Sequence, residues 1–297
     1  MSGDVYAIAS ALCFAISNVT IVKGAARDAD DNGAFLSLLI TAAIAGAGWL
    51  AIGAARGFDP VTPRALAWFA AAGVLTMFIG RVFLYASVQR LGAMRGSAMK
   101  RFNPFFAVIL GVVVLGEALD AATVAGMALI LASFVLLVQG SLRGRPGESQ
   151  HAAHKAGYAL AILSGLGYAT GYLFRKMGLA EASDAWLGAV VGALVGAAVF
   201  AGTALFSTRY ARALRAAFRR PNPWLVWAGI ASSFGQVFYF AALETRPISR
   251  TALIVSMEVF VTLALGALFL RKHETLTLPV AVAAALGVAG TALILKN

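Results

Sequence analysis

The stretch TALIVSMEVFVTLALGALFL, residues 251–270, is an almost unbroken apolar run that carries one carboxylate, Glu258, near its middle. A helix of about 20 residues crosses a hydrocarbon core of roughly 30 Å, so this segment has the length of a membrane span. Its surroundings share that character: 60% of the chain is hydrophobic, 12% is charged, and the mean hydropathy is +0.82. Such a composition excludes an ordinary soluble domain. Ten comparable segments are expected, near 4–22, 34–55, 65–89, 93–115, 120–141, 156–175, 185–206, 222–244, 248–270 and 276–295. None shows the alternation of a lipid-facing strand, so the expected fold class is an all-α integral membrane protein of ten transmembrane helices. The opening MSGD has no basic leader, which predicts that the first helix is retained. Cys13 has no partner for a disulfide and reads as a packing residue.

The second half of the sequence repeats the first. SALCFA at 10–15 matches SGLGYA at 164–169, WFAAAGV at 68–74 matches WLVWAGI at 224–230, and VFLYAS at 82–87 matches VFYFAA at 237–242, in order and at nearly constant spacing. Five helices per copy force the second copy into the membrane from the opposite side. The expected organisation is therefore two inverted five-helix repeats, 1–141 and 156–297, joined by a linker at 142–155 rich in Gly, Pro, Ser and charge. Inverted repeats allow alternating access about a site near the bilayer midplane. His151 and His154 have helical metal spacing but lie in the polar linker without a third ligand, so no metal or other cofactor is expected. DADDNG at 28–33 opens like a calcium loop, but Leu39 stands where that loop needs a glutamate.

This architecture resembles the drug/metabolite transporter superfamily, EamA type, over the whole chain. The stretch FNPFFAVILGVVVLGEAL at 102–119 is similar to that family's proline-bearing fourth helix, which ends in Gly-Glu, here Gly116 and Glu117. LRKHETL, with Glu274, is the counterpart in the second half, although SMEVFVT offers no proline for a second kink. The resemblance implies a carrier of small metabolites in the inner (plasma) membrane, with amino-acid export the leading expectation.

Ionisable groups inside a bilayer are costly and tend to face a pathway or a partner. Away from helix ends the sequence has four: Arg81, Lys100, Arg101 and Glu258. Arg81 lies about 13 Å along the helix from Arg90, too deep to snorkel easily. Thr251, Val255, Glu258 and Thr262 share a helical stripe, and the repeat aligns them with Gly96, Lys100, Asn103 and Ala107. Asn103 is thereby expected opposite Glu258 across the pseudo-symmetry axis. Phe78, Arg81 and Tyr85 share a face of the third segment, and Ser232, Gln236 and Tyr239 share one of the eighth. Ser10, Phe14 and Ser17 do so in the first, and Ser164, Tyr168 and Tyr172 in the sixth. These stripes predict a substrate-binding cavity with aromatic walls, hydroxyls, cations and one acid. That mixture suits a zwitterion whose carboxylate meets Arg81 or Lys100 and whose ammonium meets Glu258. The rival reading of the charges is a salt-bridge network that only fixes packing. GAVVGALVG at 188–196 spaces three glycines four apart and predicts a close helix contact, within or between protomers; monomer and homodimer both stay open.

Net charge +11 would suggest nucleic acid in a soluble protein, but here the cations fall in loops, so no nucleic-acid partner is expected. Connections after segments one, three, five, seven and nine hold most of them. The other side holds Arg56, Arg64, Arg175, Lys176, Arg246, Arg250 and Lys296. Ten crossings place both termini on one face; the positive-inside rule puts that face outside, whereas the family resemblance implies the cytoplasm. TRYARALRAAFRRPNPW at 208–224 reads as a short basic helix on anionic headgroups. Three functional classes compete: an exporter of amino acids or related zwitterions, proton-coupled or facilitative; a carrier of organic anions, including phosphorylated or nucleotide-linked compounds; and an intramembrane enzyme. The last lacks paired aspartate clusters, HExxH and any serine-base arrangement, so no enzyme activity is expected.

Overall fold

A computed structural model describes residues 2–25, 33–58, 60–80, 83, 87, 102–142, 151–219, 221–269 and 278–296. Their regular structure is helical throughout: α1 (Gly3–Ala25), α2 (Ala34–Arg56), α3 (Pro63–Gly73) running into a π-helix (Val74–Gly80), α4 (Asn103–Leu115), α5 (Ala121–Leu142), α6 (His151–Glu181), α7 (Ala185–Phe206), α8 (Thr208–Arg219), α9 (Pro223–Thr245), α10 (Ile248–Val255), α11 (Glu258–Phe269) and α12 (Leu278–Lys296). Seven spans among the described residues are long and apolar enough to cross a bilayer, with α4 and α5 as shorter apolar helices. Side-chain caps fix several helix starts. Thr62 accepts from Ala65 N at 3.0 Å ahead of α3, Asp184 accepts from Trp186 N and Leu187 N at 2.9 Å ahead of α7, and Asn222 accepts from Trp224 N at 3.1 Å ahead of α9. Each satisfies amides that the first helical turn leaves without partners.

Two differences from the sequence reading bear on the site. The sixth segment is longer than its apolar stretch, because α6 runs from His151 to Glu181. Its start takes in the last residues of the expected linker; its end carries Arg175, expected in a loop, well inside the helix. The ninth segment is broken without a proline: α10 ends at Val255 and α11 begins at Glu258. The Ser256 hydroxyl donates to the Leu253 carbonyl at 2.6 Å, and Met257 N and Val259 N each reach back only three residues. The interruption thus comes with three-residue bonds in place of four-residue ones and with no proline at the break.

The chain forms two compact units, and each draws helices from both sequence halves. Unit 1 comprises Met1–Phe78 with Phe174–Arg246, and unit 2 comprises Ile79–Leu173 with Pro247–Asn297. In unit 1, α1 lies antiparallel to α9. Ser10 Oγ donates to the Gly235 carbonyl at 2.8 Å, Ser17 Oγ to the Ala228 carbonyl at 2.9 Å, and Asn222 Nδ2 to the Gly24 carbonyl at 3.1 Å. The 188–196 glycine seam packs as expected: a Cβ at Gly73 would stand 2.6 Å from the Gly192 carbonyl oxygen, and one at Gly196 2.7 Å from Met77 Cβ. Without side chains between them, α3 and α7 meet backbone to backbone.

In unit 2, α5 and α12 approach as closely. A Cβ at Gly126 would fall 2.5 Å from the Gly290 carbonyl oxygen, and Ser133 Oγ donates to the Ala283 carbonyl at 2.6 Å. Ser164 Oγ donates to the Gly80 carbonyl at 2.6 Å. Ser164 and Gly80 are the repeat counterparts of Ser10 and Gly235, offset alike to within one residue. The same serine-to-glycine bond thus recurs in each unit, with the roles of the sequence halves exchanged.

Candidate functional site

The most deeply buried charged side chain among the described residues is Arg175, at 2% exposure. Its Nη1 donates to Gln236 Oε1 at 2.7 Å and its Nη2 to Thr76 Oγ1 at 3.0 Å. The guanidinium carbon sits 4.6 Å from the ring centre of Phe240 and 5.8 Å from that of Tyr239. Each element contributes for a local reason. The wide π turn of Val74–Gly80 carries Thr76, whose hydroxyl donates to the Ala72 carbonyl at 2.8 Å and so turns a lone pair to the arginine. Gln236 and Tyr239 lie on one face of α9, as their spacing predicts, with Phe240 beside them. Two neutral acceptors and two aromatic faces hold the planar fork in one orientation.

Sequence reasoning missed Arg175 by ending the sixth segment there and counting the residue as a loop cation. A signal was present. Tyr168, Tyr172, Arg175 and Leu179 follow one helical stripe, and the polar end of that stripe is the one buried. Lys176 is part-buried and donates from Nζ to the carbonyls of Leu243 and Arg246 at the end of α9. Arg250, also expected in a loop, is 8% exposed within α10.

Of the expected site residues in unit 1, Gln236 and Tyr239 meet at Arg175. Phe14 packs on Gly235, where an added Cβ would be 2.9 Å from its ring. Ser17, 4% exposed, commits its hydroxyl to Ala228. Phe78 lies in the π-helix with its ring 6.5 Å from Tyr210. In unit 2, Tyr168 and Tyr172 have ring centres 6.3 Å apart. Arg81, Tyr85, Lys100 and Arg101 lie outside the described residues, as does Glu274.

Asn103 and Glu258, aligned by the repeat, occupy the same kind of position: each is the first residue of a helix, α4 and α11 respectively. At the start of α11 the amides of Val259, Phe260 and Val261 are already bonded to the carbonyls of Ser256 and Met257. Asn103 is buried, and its Oδ1 finds no hydrogen-bond partner among the described residues; nor do Thr251 Oγ1 and Ser87 Oγ, both fully buried in the same unit. Buried polar atoms of this kind are rare in proteins.

Glu117, read from sequence as a family motif residue, has a distinct position. Gly116 closes α4 at φ +66°, and Glu117 then reaches the start of α10. Its Oε1 accepts from Ile248 N at 2.6 Å, and its Oε2 from Ser249 N at 3.0 Å and Ser249 Oγ at 2.5 Å. The carboxylate at the end of one helix is the cap of the next-but-several in sequence, which fixes the entry of the broken ninth segment beside α4.

A duplicated all-helical fold with interrupted helices and seven membrane-length apolar spans among the described residues is that of a multi-pass membrane protein. The chain belongs to the EamA-like transporter family, whose sequence model matches residues 1–139 and again 155–296. No curated protein matches it. Among solved structures, one described as a crystal structure of a protein superposes with a TM-score of 0.70 over 98% of this chain and 96% of its own at 17% identity, a likeness of fold alone.

Proposed function

We propose that this transporter exports amino acids or related small zwitterionic metabolites across the cell's inner membrane by alternating access. The observation that carries the reading is Arg175: a guanidinium held by Gln236 and Thr76 and walled by Phe240 and Tyr239, far along a membrane-length helix. A planar fork fixed in this way matches a carboxylate better than a flexible ammonium would. In the other unit, Glu258 heads α11 within a membrane-length span, and we take it to exchange a proton or a substrate ammonium during the cycle, which couples flux to the proton gradient.

Uptake into proteoliposomes tests this with labelled amino acids and organic anions at two pH values. Glu258→Gln is expected to fold normally, to lose amino-acid transport and its pH dependence, and to spare a purely anionic substrate. Arg175→Gln is expected to impair both substrate types, with size-exclusion profiles confirming that the variant is intact. Unchanged amino-acid transport in either variant sinks the reading. A carrier of organic anions is the second reading, favoured by the addition of Arg175 to the cations of the sequence. It prevails if wild-type vesicles take up anions and ignore amino acids.

A further inference from the structure

Within unit 1, α9 ends in a way that leaves one of its own carbonyls without a helical partner. In a continuing helix the Leu243 carbonyl would accept from the amide of residue 247, and that residue is Pro247, which has no N–H. The backbone at Arg246 is already extended, at φ −123° and ψ 154°, so no left-handed cap folds back in its place. Leu243 is fully buried, which closes its carbonyl to water as well. The missing donor comes from another helix. Lys176, part-buried on α6, donates from Nζ to the Leu243 carbonyl at 2.5 Å and to the Arg246 carbonyl at 2.9 Å. Its charge also meets the negative end of the α9 dipole.

Lys176 directly follows Arg175, and the two neighbours grip the same helix at two levels. Arg175 holds it at Gln236, and Lys176 two turns, about 10 Å, further on. Gln236, Tyr239 and Phe240, which hold the guanidinium on that side, all belong to α9. Their placement therefore depends on how α9 is fixed against α6. The bonds from Ser10 and Ser17 and the pairing of Arg246 with Asp4 tie α9 to α1 instead. We infer that Lys176 is a positioning residue for Arg175: by capping α9 from α6 it sets the register in which Gln236 and the two rings meet the guanidinium. Its effect on transport rests on the reading of Arg175 as the group that meets the substrate carboxylate; its effect on Arg175 itself does not.

Variants of the full-length protein in detergent test this. Lys176→Met keeps the aliphatic stem and removes the donors, whereas Lys176→Arg keeps charge and donors. Phenylglyoxal, which modifies accessible guanidinium groups, is applied well below the melting temperature, and labelling of Arg175 and of exposed Arg64 is read by peptide mass spectrometry. In wild type Arg175 is expected to be protected relative to Arg64. Lys176→Met is expected to raise the labelling rate of Arg175 roughly tenfold, as loss of two bonds from a charged donor implies, with Arg64 unchanged and Lys176→Arg close to wild type. Lys176→Gln, shorter but still a donor, is expected to fall between and carries the test if the Met variant does not fold. Proteoliposome uptake of labelled amino acids is expected to fall in the Met variant and to return in the Arg variant. A folded Met or Gln variant whose Arg175 stays as protected as in wild type overturns the inference. So does one that uncovers Arg175 yet keeps the transport that Arg175→Gln loses. If Arg175 is uncovered and neither that variant nor Arg175→Gln affects transport, the reading of Arg175 as the substrate's partner fails and its positioning by Lys176 stands.

Discussion

Replacing Glu117 with Ala removes the acceptor for three donors at the start of α10 at once. Ile248 is fully buried and Ser249 is 2% exposed, so neither amide regains a partner from water. An orphaned buried amide costs about 1–3 kcal/mol, and loss of a helix cap by itself costs about 0.5–2 kcal/mol. These overlap, since the cap consists of the same bonds. Glu117 is itself only half-buried, which discounts the charge contribution. A net loss of about 3 kcal/mol follows, and for a chain of this size it lowers the melting temperature by roughly 5–10 °C. Glu117→Gln keeps one acceptor oxygen but points an NH2 group at a donor, so it is expected to fall between wild type and Ala. The assay is thermal unfolding in detergent followed by tryptophan fluorescence. An Ala variant that melts within about 1 °C of wild type would refute the claim that this carboxylate holds the ninth segment in place.

Two further outcomes follow from packing. Gly73→Ala drives a Cβ to 2.6 Å from the Gly192 carbonyl oxygen and 2.8 Å from its Cα, backbone atoms that cannot rotate away, so α3 and α7 must separate. A destabilisation of about 1–3 kcal/mol is expected, whereas Gly202→Ala, with nothing within 4 Å, should be neutral or slightly stabilising by thermal unfolding. Ser10→Ala and Ser164→Ala each delete one buried hydroxyl-to-carbonyl bond of the same design. Both are expected to cost about 1 kcal/mol, and a large cost for one with none for the other would break the equivalence of the repeats.

What the sequence determined by itself was whatever rests on composition and short-range period. Apolar runs of bilayer length without strand alternation, the repeated SALCFA and SGLGYA motifs, and the glycine spacing at 188–196 point to an all-helical duplicated membrane protein with a close helix contact at that seam, because hydrocarbon admits only helices and closed barrels; that the partner is α3 came from the structure. The shared face of Gln236 and Tyr239 was legible for the same reason. Only tertiary structure decided what occupies that face. Arg175 stands where an apolar count ends, yet α6 continues to Glu181, since in a packed unit the helix is carried on by its contacts with Thr76, Gln236 and the rings of α9 rather than by hydropathy. Likewise no proline announces the break before Glu258, and the task of Glu117 depends on a residue 131 positions away. Local sequence sets which side chains a helix can present; which of them is buried, and against what, is set by long-range pairing of segments that no local pattern encodes.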